Sequence, residues 1–180
     1  GYVIATTYNN PSLKNPFTFI LDSDGDIVWW MEMPLSETSS ARMAFDGKHM
    51  AAMLTNQQAD NGAIHVVTMD GLTAKTLPTI GAVLDFAPTP EGGFAILDNS
   101  DGKGGRVSCA RIVEVDFDGN TKEIFDTADV FGKGCHNNAI RYSPSWDSYA
   151  VGDISHKSLL YVSRKGELLW ILNGATSHFA

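Results

Sequence analysis

The sequence predicts an all-β fold, and three observations carry that reading. A turn flanked by apolar and β-branched residues recurs four times, with its glycine at positions 25, 71, 119 and 166, giving spacings of 46, 48 and 47 residues. A second hairpin pattern precedes each of the later copies. Helical periodicity is poor throughout, whereas 17 Gly and 7 Pro suit a turn-rich chain. A period of this length, with two hairpins per copy, matches one blade of a β-propeller. The expectation is a propeller of four-stranded blades, about 3.5–4 of them in this chain. Residues 1–180 then form a single propeller portion, with repeats near 1–33, 39–78, 81–126 and 135–174.

The copies follow in order. Ile20-Leu21-Asp22-Ser23-Asp24-Gly25-Asp26-Ile27-Val28-Trp29 is the first, and Val66-Val67-Thr68-Met69-Asp70-Gly71 the second. Val113-Glu114-Val115-Asp116-Phe117-Asp118-Gly119-Asn120 is the third, and Leu160 to Trp170, turning at Lys165-Gly166, the fourth. Glycine supplies the positive φ that tight hairpin turns need. Asp22 to Asp26 and Asn99 to Gly102 resemble the start of a calcium loop, but neither is followed by the glutamate that completes one, so both read as turns. The preceding hairpins turn at Asp46-Gly47 within Ala41 to Leu54, at Pro90-Glu91-Gly92-Gly93 within Ala82 to Leu97, and at Ser143 to Asp147 within Asn137 to Val151. Trp29 and Trp170 each lie four residues after their glycine, which ties the first copy to the last and suggests packing between blades.

Gly1 to Thr7 reads as the second strand of a blade, so the count begins mid-blade. An open propeller leaves sheet faces unburied. The chain therefore reads as part of a larger propeller, completed by a second chain or by further sequence. The alternative is a small four-bladed ring closed by pairing of its two ends.

Charge narrows the function. Thirteen Lys and Arg against twenty-one Asp and Glu leave −8, an acidic balance that disfavours nucleic acid and anionic lipid as partners. No apolar run approaches the length of a membrane span. Gly1 carries no signal-peptide pattern and the chain does not begin with Met, so it reads as a mature or excised product.

Blade geometry gathers particular residues at one mouth of the central channel, where rigidly held loops bind ligands. His136 and Asn138 open the innermost strand of the last repeat, on the same side by strand alternation. Asp153, Ser155 and His156 lie at the junction of its second and third strands. The same junction one repeat earlier holds Asp98, Asn99, Ser100, Asp101, Lys103, Arg106 and Cys109. Cys109 and Cys135 fall on the same face of adjacent blades, so a disulfide is expected; free thiols, or a reactive or metal-binding Cys135, are the alternatives. His136, His156, Asp153 and Asp98 together form a second possible arrangement, a divalent-metal set. His49 and His65 read as structural strand residues.

The segment Cys135-His136-Asn137-Asn138-Ala139-Ile140-Arg141-Tyr142, then Tyr149 to His156, then Leu159 to Gly174, resembles the bacterial arylsulfotransferase family. The family's features are a His-x-Asn strand opening, a short hairpin, an Ile-Tyr-like strand, a Lys-Thr-Gly-Glu-like turn and a Trp-x-Leu-Gly-Gly ending, to which Arg164-Lys165-Gly166-Glu167 and Trp170-Ile171-Leu172-Asn173-Gly174 correspond here. The likeness is good over 135–174 and weaker over the earlier repeats. It implies a six-bladed propeller, usually exported, hence periplasmic or extracellular. It also implies transfer of a sulfuryl group from an aryl sulfate to a phenol through a sulfohistidine, with a small aromatic substrate and no cofactor. A neutral imidazole is a competent nucleophile, and neighbouring donors stabilise charge on the transferring oxygens. By the match, His136 and Asn138 are the catalytic residues here, as a sulfuryl-binding donor and its partner. His156, Asp153 and Arg106 are the candidates for substrate binding, and the nucleophilic histidine falls beyond Ala180. The family's pattern places an arginine near the end of the hairpin's second strand, where this chain reads Gly152-Asp153-Ile154-Ser155-His156. An acid facing a sulfate ester would repel it. The other two readings are a non-catalytic binding or assembly module and a metal-dependent enzyme.

Overall fold

The computed structural model describes residues 1–7, 16–33, 38–56, 61–80, 82–101 and 106–173. They fall into two compact units, Gly1–Ile80 and Gly81–Ala180. Among the described residues, all regular structure is antiparallel sheet except one four-residue helix.

The first unit holds two sheets. β1 (Val3–Thr6), β2 (Phe17–Leu21) and β3 (Ile27–Glu32) form a three-stranded sheet in that order. β2 and β3 flank the Asp24-Gly25 turn, so β1 stands where a second strand is expected. β4 (Thr38–Met43), β5 (His49–Asn56), β6 (Asn61–Thr68) and β7 (Ala74–Ile80) form a four-stranded sheet. Met31 and Met33 pack against Ala41, Ala52, Leu54 and Ala63 to join the two. The Trp29 indole N–H donates at 2.9 Å to Met69 O in the turn between β6 and β7, so the first repeat tryptophan does reach from one sheet to the next.

The second unit repeats the plan. β8 (Ala82–Pro88), β9 (Phe94–Ser100), β10 (Arg106–Val115) and β11 (Thr121–Asp126) make the third sheet. After the short α1 (Ala128–Phe131), β12 (Asn137–Ser143), β13 (Ser148–Asp153), β14 (Ser158–Ser163) and β15 (Leu168–Leu172) make the fourth. Burial alternates strictly along β14, as a strand with one covered face requires. Leu160, Val162 and Ile171 join Ile140, Tyr149 and Val151 against Leu97, Ala110 and Ile112 of the third sheet. Trp170 lies on the other face, where it stacks on Tyr161 of its own sheet at 4.0 Å, with Trp146 alongside. The Tyr161↔Trp170 pairing in the β14–β15 ladder is what puts both rings there.

The repeated turn is one physical device. Asp22 Oδ1 accepts the N–H of Asp24 and Asp26, and Asp116 Oδ1 accepts those of Asp118 and Asn120. Ser163 Oγ accepts those of Lys165 and Glu167 in the same way. An acidic or hydroxyl residue three positions before the glycine thus holds the loop, and the glycine takes the left-handed step, φ 84° at Gly166. A Cβ at Gly166 would meet Ile124 O at 2.5 Å.

At that turn end, the second unit is tied by charge. Arg164 Nε and Nη2 donate to Glu114 Oε1 and Oε2 at 2.8 and 3.1 Å, Arg164 Nη1 donates to Glu91 at 2.7 Å, and Tyr149 OH donates to Glu114 Oε1. Burial by itself would raise the Glu114 pKa; the bonds from Arg164 and Tyr149 outweigh it, and the net direction is down. A depressed folded-state pKa gives stability that is present above the unfolded value near 4.3 and lost as pH falls through the lower folded value. Arg164→Met is expected to destabilise by about 2–3 kcal/mol at neutral pH. It should also flatten the acid limb of a stability–pH profile measured by urea unfolding. An unchanged acid limb would show that Glu114 takes no stability from this pairing.

Candidate functional site

At the opposite end of the second unit, the segment entering β12 meets the β13–β14 turn. The β12–β13 ladder pairs Asn137 with Asp153 and then shifts register before Ala139, so Asn138 is the bulged residue. A bulge re-aims side chains. Asn137 is buried, Asn138 half-buried and His136 exposed.

Asp153 organises this end. Its side chain is fully buried, and each oxygen accepts two hydrogen bonds. Oδ2 takes His136 N at 2.7 Å and Asn137 Nδ2 at 3.0 Å; Oδ1 takes His156 N at 2.7 Å and lies 2.8 Å from His156 Nδ1. An ionised carboxylate only accepts, so the His156 Nδ1–H donates to Asp153 and Nε2 is the ring nitrogen left outside this bond. The His156 ring stacks on Phe131 at 4.2 Å and 4°, which fixes its plane, and its side chain keeps 32% exposure. Backbone strain helps aim it, since Lys157 follows at φ 51°. The acid read from the sequence as facing a substrate is thus turned inward, where it holds the His156 ring and the main chain at His136.

Asn137 connects this end to the third sheet. Its Oδ1 accepts Ala110 N and lies 2.9 Å from the Thr127 hydroxyl, which also reaches Ala110 O. Cys109 and Cys135 form the expected disulfide, joining β10 to the segment before β12. Cys135 Sγ, Asp153 and His156 bring one ligand atom each within 4.8 Å of one another.

The other sequence candidates fall apart from this cluster. Asp98 receives Arg111 Nη2 at 2.6 Å and Ser100 N at 2.9 Å. Arg141 pairs with the buried Asp85 on the neighbouring inner strand. His49 binds Asp46, and His65 binds Thr76 across the β6–β7 ladder. Burial shifts the His65 pKa down. The Arg106 side chain, Lys103 and His178 lie outside the described residues. Sequence reasoning missed Asn137, Thr127 and Phe131. Asn137 stood inside the quoted His-Asn-Asn run, but alternation alone gave no reason to prefer it to Asn138.

An open recess of about 530 Å³ adjoins the cluster, lined by Asn138, Asp153, Ile154, Lys157, Ser158 and Leu172 among others. Lys157 is the cation there. The lining offers amide, hydroxyl and ammonium donors, from Asn138, Ser158 and Lys157, around a space the size of a small molecule.

Comparison with solved structures decides the architecture. TolB from Acinetobacter baumannii matches with a TM-score of 0.66 at 17% identity, over 93% of this chain and 40% of that one. The dihydro-heme d1 dehydrogenase NirN, in complex with DHE, matches with 0.61 at 13% identity, over 98% and 35%. The fold is that of a β-propeller. A functionally unknown protein from Desulfotomaculum acetoxidans matches with 0.63 at 14% identity, over 98% and 54%. At these identities the likeness shows the propeller fold alone, and this chain spans between about a third and just over half of each of these three chains. No family model and no curated protein matches the sequence. No helix among the described residues is long and apolar enough to cross a membrane.

Proposed function

We propose that this propeller portion supplies one wall of an anion-binding site at a channel mouth, and that the anion is the sulfuryl group of an aryl sulfate. The observation that carries the reading is Asp153. One buried carboxylate fastens the main chain at His136 and His156 and the ring of His156, so one imidazole and the chain entering β12 are held beside a recess lined by Asn138 and Lys157. Preorganised donors of this kind stabilise charge on transferring oxygens. The inward turn of Asp153 engages both its oxygens with donors of the chain, and Lys157 stands in for the missing arginine as the cation. His136 and Asn138 are the residues that touch the ligand; Asp153 is a positioning residue. The nucleophile and the remaining blades come from outside the chain, in an exported six-bladed protein.

The Trp170 face supports that last point. By repeat position Trp170 corresponds to Trp29, whose indole bonds to the sheet that follows it. The Trp170–Tyr161–Trp146 cluster lies on the equivalent face of the fourth sheet and suits a further blade.

Calorimetric titration of the chain with 4-nitrophenyl sulfate tests the reading. We expect binding without turnover, and about tenfold weaker binding in both His136→Ala and Lys157→Ala. Equal affinity in wild type and both variants, or no binding by wild type, would remove the anion-site assignment. A non-catalytic binding module remains if binding holds and the completed propeller transfers no sulfuryl group to a phenol.

A further inference from the structure

Asp153 has an unusual set of partners for a fully buried carboxylate. Two are main-chain N–H groups, one is an amide, and one is an imidazole, so none carries a fixed positive charge. Beside it lie a histidine and a cysteine sulfur, all within 4.8 Å of one another. Thiolate, imidazole and carboxylate in one cluster are zinc ligands, but Cys135 is committed to Cys109 and a disulfide sulfur is not a thiolate.

We propose that reduction of the Cys109–Cys135 disulfide opens a divalent-metal site here, for Zn²⁺ by the chemistry of its donors, with Cys135, Asp153 and His156 as ligands. Disulfide and metal are then mutually exclusive states of one end of the unit. The route is given by the geometry: Cys109 lines an open recess of about 480 Å³ with Ser100, Ser108 and Arg111. A dithiol reductant attacks the Cys109 sulfur there. The S–S bond breaks, Cys135 leaves as thiolate next to His156, and the second thiol of the reductant then displaces Cys109 as it closes its own disulfide. Two electrons and two protons pass from reductant to protein. Zinc binding returns the proton of the Cys135 thiol to solvent, and the cation supplies the charge that Asp153 otherwise lacks. This inference shares Asp153 and His156 with the sulfuryl reading but is tested apart from it, since its probe is a metal ion and the sulfuryl reading uses neither Cys109 nor Cys135.

Two serine variants test it cleanly, because both abolish the disulfide and differ only in which sulfur is left. Cobalt(II) is the probe, read by its thiolate charge-transfer band, with Zn²⁺ competition giving affinity and native mass giving stoichiometry. Cys109→Ser is expected to bind one metal ion without any reductant, and so is the wild-type chain after reduction with a phosphine. Cys135→Ser should bind at least about tenfold more weakly and lack the charge-transfer band, and Cys109→Ser with His156→Gln should lose a similar factor. Equal binding by the two serine variants, no binding by either, or one-to-one binding to the oxidised chain would each overturn the proposal.

Discussion

Replacing Asp153 by alanine is expected to cost about 4 kcal/mol of folding stability, among the largest effects available at an exposed end of these sheets. The side chain is fully buried and its two oxygens satisfy four donors from two separate segments. Each buried donor left without a partner costs about 1–3 kcal/mol, and water recovers part of this at the half-exposed His156. The urea midpoint should fall by roughly 2 M. Asp153→Asn is the informative companion. It keeps one acceptor oxygen but turns an NH₂ group toward the remaining donors, so about half the loss should persist. Under 1 kcal/mol for the alanine variant would mean that the end of the unit is held by the β12–β13 ladder alone, and that Asp153 positions nothing.

That residue also marks the boundary of what the sequence discloses. The blade repeat was legible because it is local: each turn needs its glycine and an acceptor three residues earlier, and both are written in the chain at Asp22, Asp116 and Ser163. The gathering of His136, Asp153, His156 and the cysteines at one end followed from strand order, since alternate strand ends must share a side. The direction in which each side chain turns did not follow. It depends on the register shift after Asn137, which moves Asn138 out of alternation and lets Asn137 face Ala110 and Thr127. A bulge has no composition of its own, so an acid that reads as facing ligand is found beneath it. Trp170 makes the same point: its position in the repeat was plain, but its stack on Tyr161 rests on a pairing in the β14–β15 ladder that the turn spacing does not disclose.

Opening the Cys109–Cys135 bond should lower stability by about 3–4 kcal/mol through the entropy returned to an unfolded chain freed of a crosslink between residues 26 apart. For a chain of this size that is a fall in melting temperature of roughly 10 °C. The effect acts on the unfolded ensemble, so reduction should also raise the denaturant m-value, whereas Asp153→Ala should leave it unchanged. The two losses are therefore separable although the residues are neighbours. Scanning calorimetry of oxidised and phosphine-reduced protein checks the first quantity, and a difference below about 1 kcal/mol would mean that the reduced unfolded chain remains compact there. Metal then becomes a lever on the same measurement. A ligand at one hundred times its dissociation constant returns about 2.7 kcal/mol to the state it binds. Zinc should restore most of the lost melting temperature in reduced wild type and in Cys109→Ser, and should leave Cys135→Ser where reduction put it.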